Sequence, residues 1–239
     1  MSSSGWGNFW KDQRQSFYAV MQIATGYFAV QLEKRFQVKP SHDILDYGCG
    51  PGFVADSLAA KKITTTGVDI NEYFIQQCRI NHPASAFIHI TTDTAENERI
   101  LHAQLKEQKF DFIILLSVAQ YLKSTSELEA ILKMLRSYLK EQGKIIIADV
   151  IDQNTSSAKD ALSLLTHCVK KGRIGAFIGF ISYLLFSNYR KISKETKMLE
   201  LSGQSICEIA ANNHLNYEKV NGLTIHPTRN NYVLSKAAQ

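Results

Sequence analysis

Residues Asp43 to Gly52 read DILDYGCGPG, and this stretch decides the fold. Its first half, DILDY, reads as a short strand buried on both faces. Its second half places Gly48, Gly50 and Gly52 at alternate positions. A turn of that kind lets backbone N–H groups approach a ligand at the N-terminus of the next helix, expected from about Phe53 to Ala60. Working outward, strands and helices alternate. Strand Ile63–Asp69 precedes the helix NEYFIQQCRI, and strand Ala86–Thr91 precedes a polar helix around Asn97–Glu107. Strand Phe110–Leu116 precedes an amphipathic helix over Glu127–Leu139, and Gly143 punctuates before the strand KIIIADV. Apolar strands in strict alternation with helices imply parallel pairing through right-handed crossovers, so the fold class is α/β with an open, mostly parallel sheet.

On the N-terminal side, Trp6 to about Phe36 carries apolar residues at helical spacing, with Phe17, Val20, Met21, Ala24 and Phe28 on one face, until Pro40 and Ser41 break the pattern. On the C-terminal side, Asp152 to Glu200 reads as mainly helical. A helix over Ser205–Asn212 and strand candidates Tyr217–Asn221 and Asn231–Lys236 follow. No repeat and no Pro/Ser linker divides the chain. The expected parse is one domain: a helical cap over 1–40, a core over 41–151, a helical insertion over 152–202 and a closing segment over 203–239.

Composition agrees with a globular chain. Of 239 residues, 45 % are hydrophobic and 21 % charged, with 13 Gly and 4 Pro, which excludes disordered, collagenous and low-complexity classes. The formal charge of +5 is spread along the chain, whereas a nucleic-acid binder would concentrate it. Cys49, Cys78, Cys168 and Cys207 form no C-x-x-C pair and no zinc pattern, so they read as reduced thiols and the expected location is cytoplasmic. The first residues show no cationic segment followed by an apolar one, as a secretory signal would. Ile174–Phe186 (IGAFIGFISYLLF) is nearly all apolar but falls short of the ~20 residues that span a bilayer. The expected role is a lid whose inner face lines the acceptor site, with a peripheral membrane contact or a helix packed on the sheet as the alternatives.

The details of the glycine turn narrow the ligand. A dinucleotide-binding turn reads G-x-G-x-x-G, and here the third glycine comes one position early. No G-K-[ST] follows, which excludes a P-loop. Asp46, two residues before the first glycine, would repel a pyrophosphate but suits a cation, and S-adenosylmethionine carries an ammonium and a sulfonium. Asp69 ends the second strand, where a carboxylate can accept hydrogen bonds from both hydroxyls of an adenosine ribose.

ILDYGCGPG, GVDI, FDFIILLSVAQYL and GKIIIADV together resemble the class I S-adenosylmethionine-dependent methyltransferases, from Asp43 to about Val150. The resemblance implies a Rossmann-like sheet of seven strands whose last strand inserts antiparallel, here Asn231–Lys236. It implies S-adenosyl-L-methionine as cofactor, held at its methionine end by Asp46, Gly48, Gly50 and Gly52. It also implies Asp69 on the ribose, Ile70 against the adenine, and Asp93 with Thr94 near the adenine amine. Ser117 would lie beside the transferable methyl. Asp93 has a rival role as a helix N-cap, and Ser117 a rival role as a packed strand end.

Several acceptors are disfavoured. Ser117-Val118-Ala119-Gln120 replaces the N/D-P-P-Y/F tetrad of amino-methyltransferases, and no Pro-Cys pair is present for cytosine attack. Asp149, Asp152 and Asn154 read as a strand end and turn, and no metal is expected. A small-molecule acceptor remains, facing aromatic residues of the N-terminal cap (Trp6, Trp10, Phe17, Tyr18, Tyr27) and of the insertion (Phe177, Phe180, Tyr183, Phe186). The segment Phe186–Leu234 is similar to tails of bacterial methyltransferases of aryl-polyene and polyketide-like pathways, which implies an aromatic or carrier-bound acceptor. O-methylation is the favoured chemistry. Methylation of a lipid-like or carrier-bound acceptor at carbon, or cofactor binding without turnover, are the alternatives. His226, in TIHPTRN before the last strand, is the histidine that the topology best places to act as a base, the alternative being a solvent-exposed loop histidine.

Overall fold

A computed structural model describes residues 15–186 and 197–237. Trp6 and Trp10 lie outside the described residues. In chain order the elements are α1 (Gln15–Phe36), β1 (Ile44–Tyr47), α2 (Phe53–Ala59), β2 (Thr66–Asp69), α3 (Glu72–Asn81), β3 (Ala86–His89) and α4 (Thr94–Leu105). They continue with β4 (Phe110–Leu116), a 3-10 turn (Ala119–Tyr121), α5 (Thr125–Ser137), β5 (Leu139–Val150), α6 (Ser157–Lys170), α7 (Ile174–Phe186), α8 (Gly203–Asn212), β6 (Leu215–Val220) and β7 (Asn230–Lys236).

The strands form one seven-stranded sheet in the order β3-β2-β1-β4-β5-β7-β6. The pairs from β3 through β5 are parallel, and β7 enters antiparallel between β5 and β6. This is the Rossmann-like arrangement expected from the sequence. Successive side chains of a strand point to opposite faces, so each central strand feeds two cores. Leu45, Ile113, Leu115, Ile145 and Ile147 pack beneath α4, α5 and α8 together with Leu101, Leu132 and Ile206. Ile44, Phe112, Ile114, Ile146 and Ala148 pack on the other face against Phe28 and Leu32 of α1 and Val54 and Leu58 of α2. From β1 the chain winds one way to β2 and β3, then crosses to β4 and β5. That reversal opens a crevice at the strands' carboxyl ends, where ligands of such sheets sit.

Two of the differences from the expected boundaries have a clear local reason. The fifth helix stops at Ser137 because Leu139 already pairs with Phe110 in the sheet, and a register shift lets β5 resume at Lys144 opposite Phe112. Gly143 sits in that irregularity, where a Cβ would lie 2.8 Å from the Phe110 carbonyl oxygen. The fourth helix starts three residues early, at Thr94, because the Asp93 side chain accepts from the Ala95 and Glu96 N–H groups and caps it. The expected insertion contains α6 and α7, and both helices pack on α1 rather than on the sheet. Among the described residues, no helix is long and apolar enough to cross a membrane.

Candidate active site

The glycine turn is built as its spacing demands. Gly48 and Gly52 have φ of +82° and +85°. A Cβ on Gly48 would lie 2.5 Å from the Val118 side chain, and one on Gly52 would lie 2.8 Å from the Cys78 Sγ. Gly50, between them, donates its N–H to Asp69 Oδ2 at 2.8 Å. Asp69 Oδ1 accepts from the Asn71 N–H at 2.7 Å. The carboxylate thus ties the end of β2 to the turn, and it lines the cavity, where its remaining lone pairs face a ligand's approach. Burial raises the Asp69 pKa, while the Asn71 and Gly50 N–H groups pull it back.

Asp46, at the carboxyl end of β1, is only 3 % exposed and lines the cavity beside the turn. It accepts no hydrogen bond among the described residues. Burial, and then the neighbouring Asp69 charge, push its pKa up to about 7. A buried carboxylate in this state is stabilised by an incoming cation. Ile70 and Thr94 also line the cavity, and Ile70 is exposed there. Asp93 does not line it. Its Oδ1 serves the N-terminus of α4, and Thr91, Thr92 and Asn97 form the wall where Asp93 was expected.

A second group of polar residues gathers where β4 and β5 end. Ser117 and Asp149 both have positive φ, +57° and +67°, unusual for residues other than glycine. The Ser117 Oγ donates to Asp149 Oδ2 at 2.6 Å, so its hydroxyl points at β5. Asp149 leaves the strand ladder, and its N–H donates to Asn231 Oδ1 at 3.0 Å instead. Its carboxylate meets His226 Nδ1 at 2.7 Å through Oδ1 and Arg229 at 2.7 Å through Oδ2. Burial alone would raise this carboxyl. The Arg229 charge, the His226 ring and the hydroxyl of Ser117 outweigh it and hold the pKa down at about 2. Arg229 is held from its other side by Asp160 of α6, at 3.2 Å. Asp152, considered above with Asn154 as a strand-end turn, accepts from the Asn154 N–H and the Asn230 side chain.

His226 is therefore a partly buried residue on the cavity wall with a carboxylate partner, and its ring is oriented by that partner. The sequence reading placed His226 but missed Asp149, Arg229 and Asp160. Asp149 did carry a signal, an acidic residue closing the apolar run KIIIADV, the same signature as Asp46 closing β1.

The two groups open on one cavity of about 2070 Å³. Ligand pockets usually measure about 300–1,000 Å³, so this space can hold a nucleoside cofactor and an acceptor together. Its wall near α1, α6 and α7 carries the apolar Phe17, Val20, Met21, Leu164, Phe180 and Leu184, while Gln120, Asp152, Gln153, Lys197 and Glu200 add polar lining elsewhere. Phe17 and Phe180 lie with ring centroids 5.5 Å apart. Other expected aromatic lining has different duties. Tyr18 packs edge-on against Phe53, Tyr27 packs against His167, and Phe186 faces outward.

Comparison with known proteins places this geometry. A family model described as a methyltransferase domain matches residues 39–203. The chain belongs to that family. Among curated proteins it is similar to the ubiquinone biosynthesis O-methyltransferase of Hydrogenovibrio crunogenus, 27 % identical over 118 residues, covering 48 % of this chain and 45 % of that protein. It is also similar to the ribosomal protein L11 methyltransferase of Neisseria gonorrhoeae, 27 % identical over 120 residues, covering 49 % of this chain and 35 % of that protein. The match thus spans less than half the length of either relative. The fold resembles the magnesium protoporphyrin IX methyltransferase of Synechocystis with bound S-adenosylmethionine, with TM-score 0.57, 14 % identity, and coverage of 97 % of this chain and 89 % of that one. S-adenosyl-L-methionine is the cofactor of the family. The described residues fit it: Asp46 is a buried carboxylate awaiting a cation, and Asp69 is braced at the strand end with lone pairs to spare.

Proposed function

We propose that this methyltransferase transfers the methyl group of S-adenosyl-L-methionine to a hydroxyl oxygen of a small, largely apolar acceptor, with an aromatic or polyketide-like molecule the best fit. When bound, the cofactor supplies a methyl carbon on a sulfonium, with neutral S-adenosylhomocysteine as leaving group. Asp46 would take the ammonium of its methionine end. Asp69 would take the ribose hydroxyls, and Gly48, Gly50 and Gly52 would leave room for the ligand's approach. Ile70 and Thr94 would flank the adenine. Asp93 enters only through the helix it caps.

His226 is the proposed general base, and its pairing with Asp149 is the observation that carries the reading. A carboxylate at 2.7 Å from Nδ1 favours the tautomer with its proton on Nδ1, which leaves Nε2 basic. Nε2 would take the proton of the acceptor hydroxyl, and Asp149 would stabilise the imidazolium that forms. Ser117 and Arg229 position Asp149 by holding its other oxygen. The apolar walls exclude water, which would compete for the proton and weaken these charge interactions. A base fixed by a carboxylate fits a hydroxyl acceptor, whose proton has to leave as its oxygen is methylated. A cavity lined by Phe17 and Phe180 supports a molecule that can enter it over a folded protein acceptor.

The test is turnover of a phenol and enol panel by the wild type and by His226→Asn. Loss of a positioned base lowers kcat by about 10²–10⁴-fold. The affinity for S-adenosylhomocysteine should stay within about twofold of wild type, because His226 is not assigned to the cofactor. Undiminished kcat in His226→Asn would remove the base from the mechanism and leave orientation alone to explain transfer.

A further inference from the structure

Helix α7 has two apolar faces. On one, Phe180, Ile181 and Leu184 line the cavity and Tyr183 packs against Phe17. On the adjoining side, Ile174, Ile178 and Leu185 recur at spacings that share a side of a helix, with Ile181 at its margin toward the cavity, and Phe186 is exposed at the helix end. Ile174, Ile178, Leu185 and Phe186 are exposed, Ile178 by 59 % and Phe186 by 88 %. The neighbouring helix α6 adds exposed Leu162 and Val169. A helix that is apolar all round belongs either in a core or against lipid, and α7 keeps one side out of the core.

Charge selects the occupant. The turn joining α6 to α7 carries exposed Lys170, Lys171 and Arg173. From Ser157 to Phe186 the sole acidic residue is Asp160, which is buried and paired with Arg229. The hairpin therefore shows solvent an apolar face bordered by cations with no acid among them. A second copy of the chain on this face would set those cations against each other across a two-fold axis. An anionic phospholipid surface satisfies both features, with apolar side chains among the acyl chains and cations at the phosphates.

We propose that the α6–α7 hairpin docks this protein on an anionic phospholipid bilayer, so that one helix is both a wall of the acceptor cavity and the contact with lipid. The inference deepens the proposed function by giving the apolar acceptor a source, molecules dissolved in the bilayer. The contact itself needs no methyl transfer. Flotation is measured without turnover, so its failure would leave the acceptor reading standing.

The experiment is co-flotation of the full chain with vesicles of phosphatidylcholine alone or with 30 mol % phosphatidylglycerol. Wild type should float with the anionic vesicles and lose most of that binding at high salt. Ile178→Ser with Leu185→Ser, neither of which lines the cavity, should cut partitioning by about tenfold through lost insertion. Replacing Lys170, Lys171 and Arg173 by Ala should cut it by on the order of 100-fold on anionic vesicles. Both variants should keep wild-type melting temperatures and affinity for S-adenosylhomocysteine. Absence of flotation in the wild type would overturn the proposal. So would flotation untouched by both variants, or a concentration-dependent dimer that the serine pair abolishes.

Discussion

Asp46 and Asp149 each close an apolar parallel strand, and the structure treats them in opposite ways. Asp149 is surrounded by donors and stays ionised, with a pKa of about 2, whereas Asp46 meets no donor and rises to about 7. A bound ammonium would favour ionised Asp46, so cofactor binding should release a proton below neutrality. Affinity for S-adenosylhomocysteine should then improve by about tenfold between pH 6 and pH 8. Calorimetry in two buffers of different ionisation enthalpy reads the proton directly. Asp46→Asn should bind more weakly at pH 8 and show a flat profile, and a pH-independent wild type would detach Asp46 from the ammonium. Asp149→Asn probes the other site. It should lower kcat while leaving cofactor affinity near wild type, because the amide can present the wrong partner to His226 Nδ1. What the sequence disclosed at this scale follows from separation along the chain. Asp46, the glycines and Asp69 lie within one strand–turn–helix–strand unit, so spacing reveals them. Asp149 and His226 are 77 positions apart, and Asp149 and Arg229 are 80 apart, so only folding brings them together.

Among the elements, the parallel core was readable because each strand is a short apolar run ending in a turn residue. Edges were less readable where tertiary contact competes with local pattern. Leu139 continues the apolar stripe of α5, yet the Phe110 strand claims it. Asp93 illustrates the reverse, a local cap that outranks an inferred ligand contact. For α7, length and hydropathy left three roles open, and packing resolves only its inner side. Phe180 packs at a tilt against Phe17 on the cavity wall, so Phe180→Ser should raise the KM for an apolar acceptor by about tenfold, near the low end of the about 1.5–3 kcal/mol for burying a large side chain, because Phe180 is half-buried. Cofactor Kd should be nearly unchanged, and an unaltered KM would take α7 off the acceptor's path. In the turn, Gly48→Ala combines a positive φ with a 2.5 Å approach to Val118. It should weaken S-adenosylhomocysteine binding at least tenfold, as a titration would show, by displacing the turn proposed to hold the methionine end.

For the molecule as a whole, these carboxylates set the pH range of stability. The folded pKa of Asp149 lies below its ordinary 3.8. Its contribution is therefore complete above about pH 4 and lost as pH falls toward 2, and the shift corresponds to about 2 kcal/mol. Asp46 has the opposite sign: its folded pKa is raised, so ionising it costs stability as pH climbs from about 4 to about 7. Thermal melts of the free chain should therefore show a maximum on the acidic side of neutrality, and Asp46→Asn should flatten the fall from pH 4 to 7. A wild-type melting temperature that rises through that interval would contradict the assignment.

The placement of β7 between β5 and β6 also bears on the order in which the protein becomes competent during synthesis. Strands β1 to β5 leave the ribosome first and can pair in parallel as they emerge. β6 has no neighbour until the chain is complete through Lys236, because its partner is the strand made after it. The residues proposed for the methyl donor, Asp46 to Thr94, are all translated before the insertion. The assigned base, His226, arrives with the segment that wedges the sheet shut. In a nascent chain of this design, every residue proposed for the donor is made before the one proposed to take a proton from an acceptor.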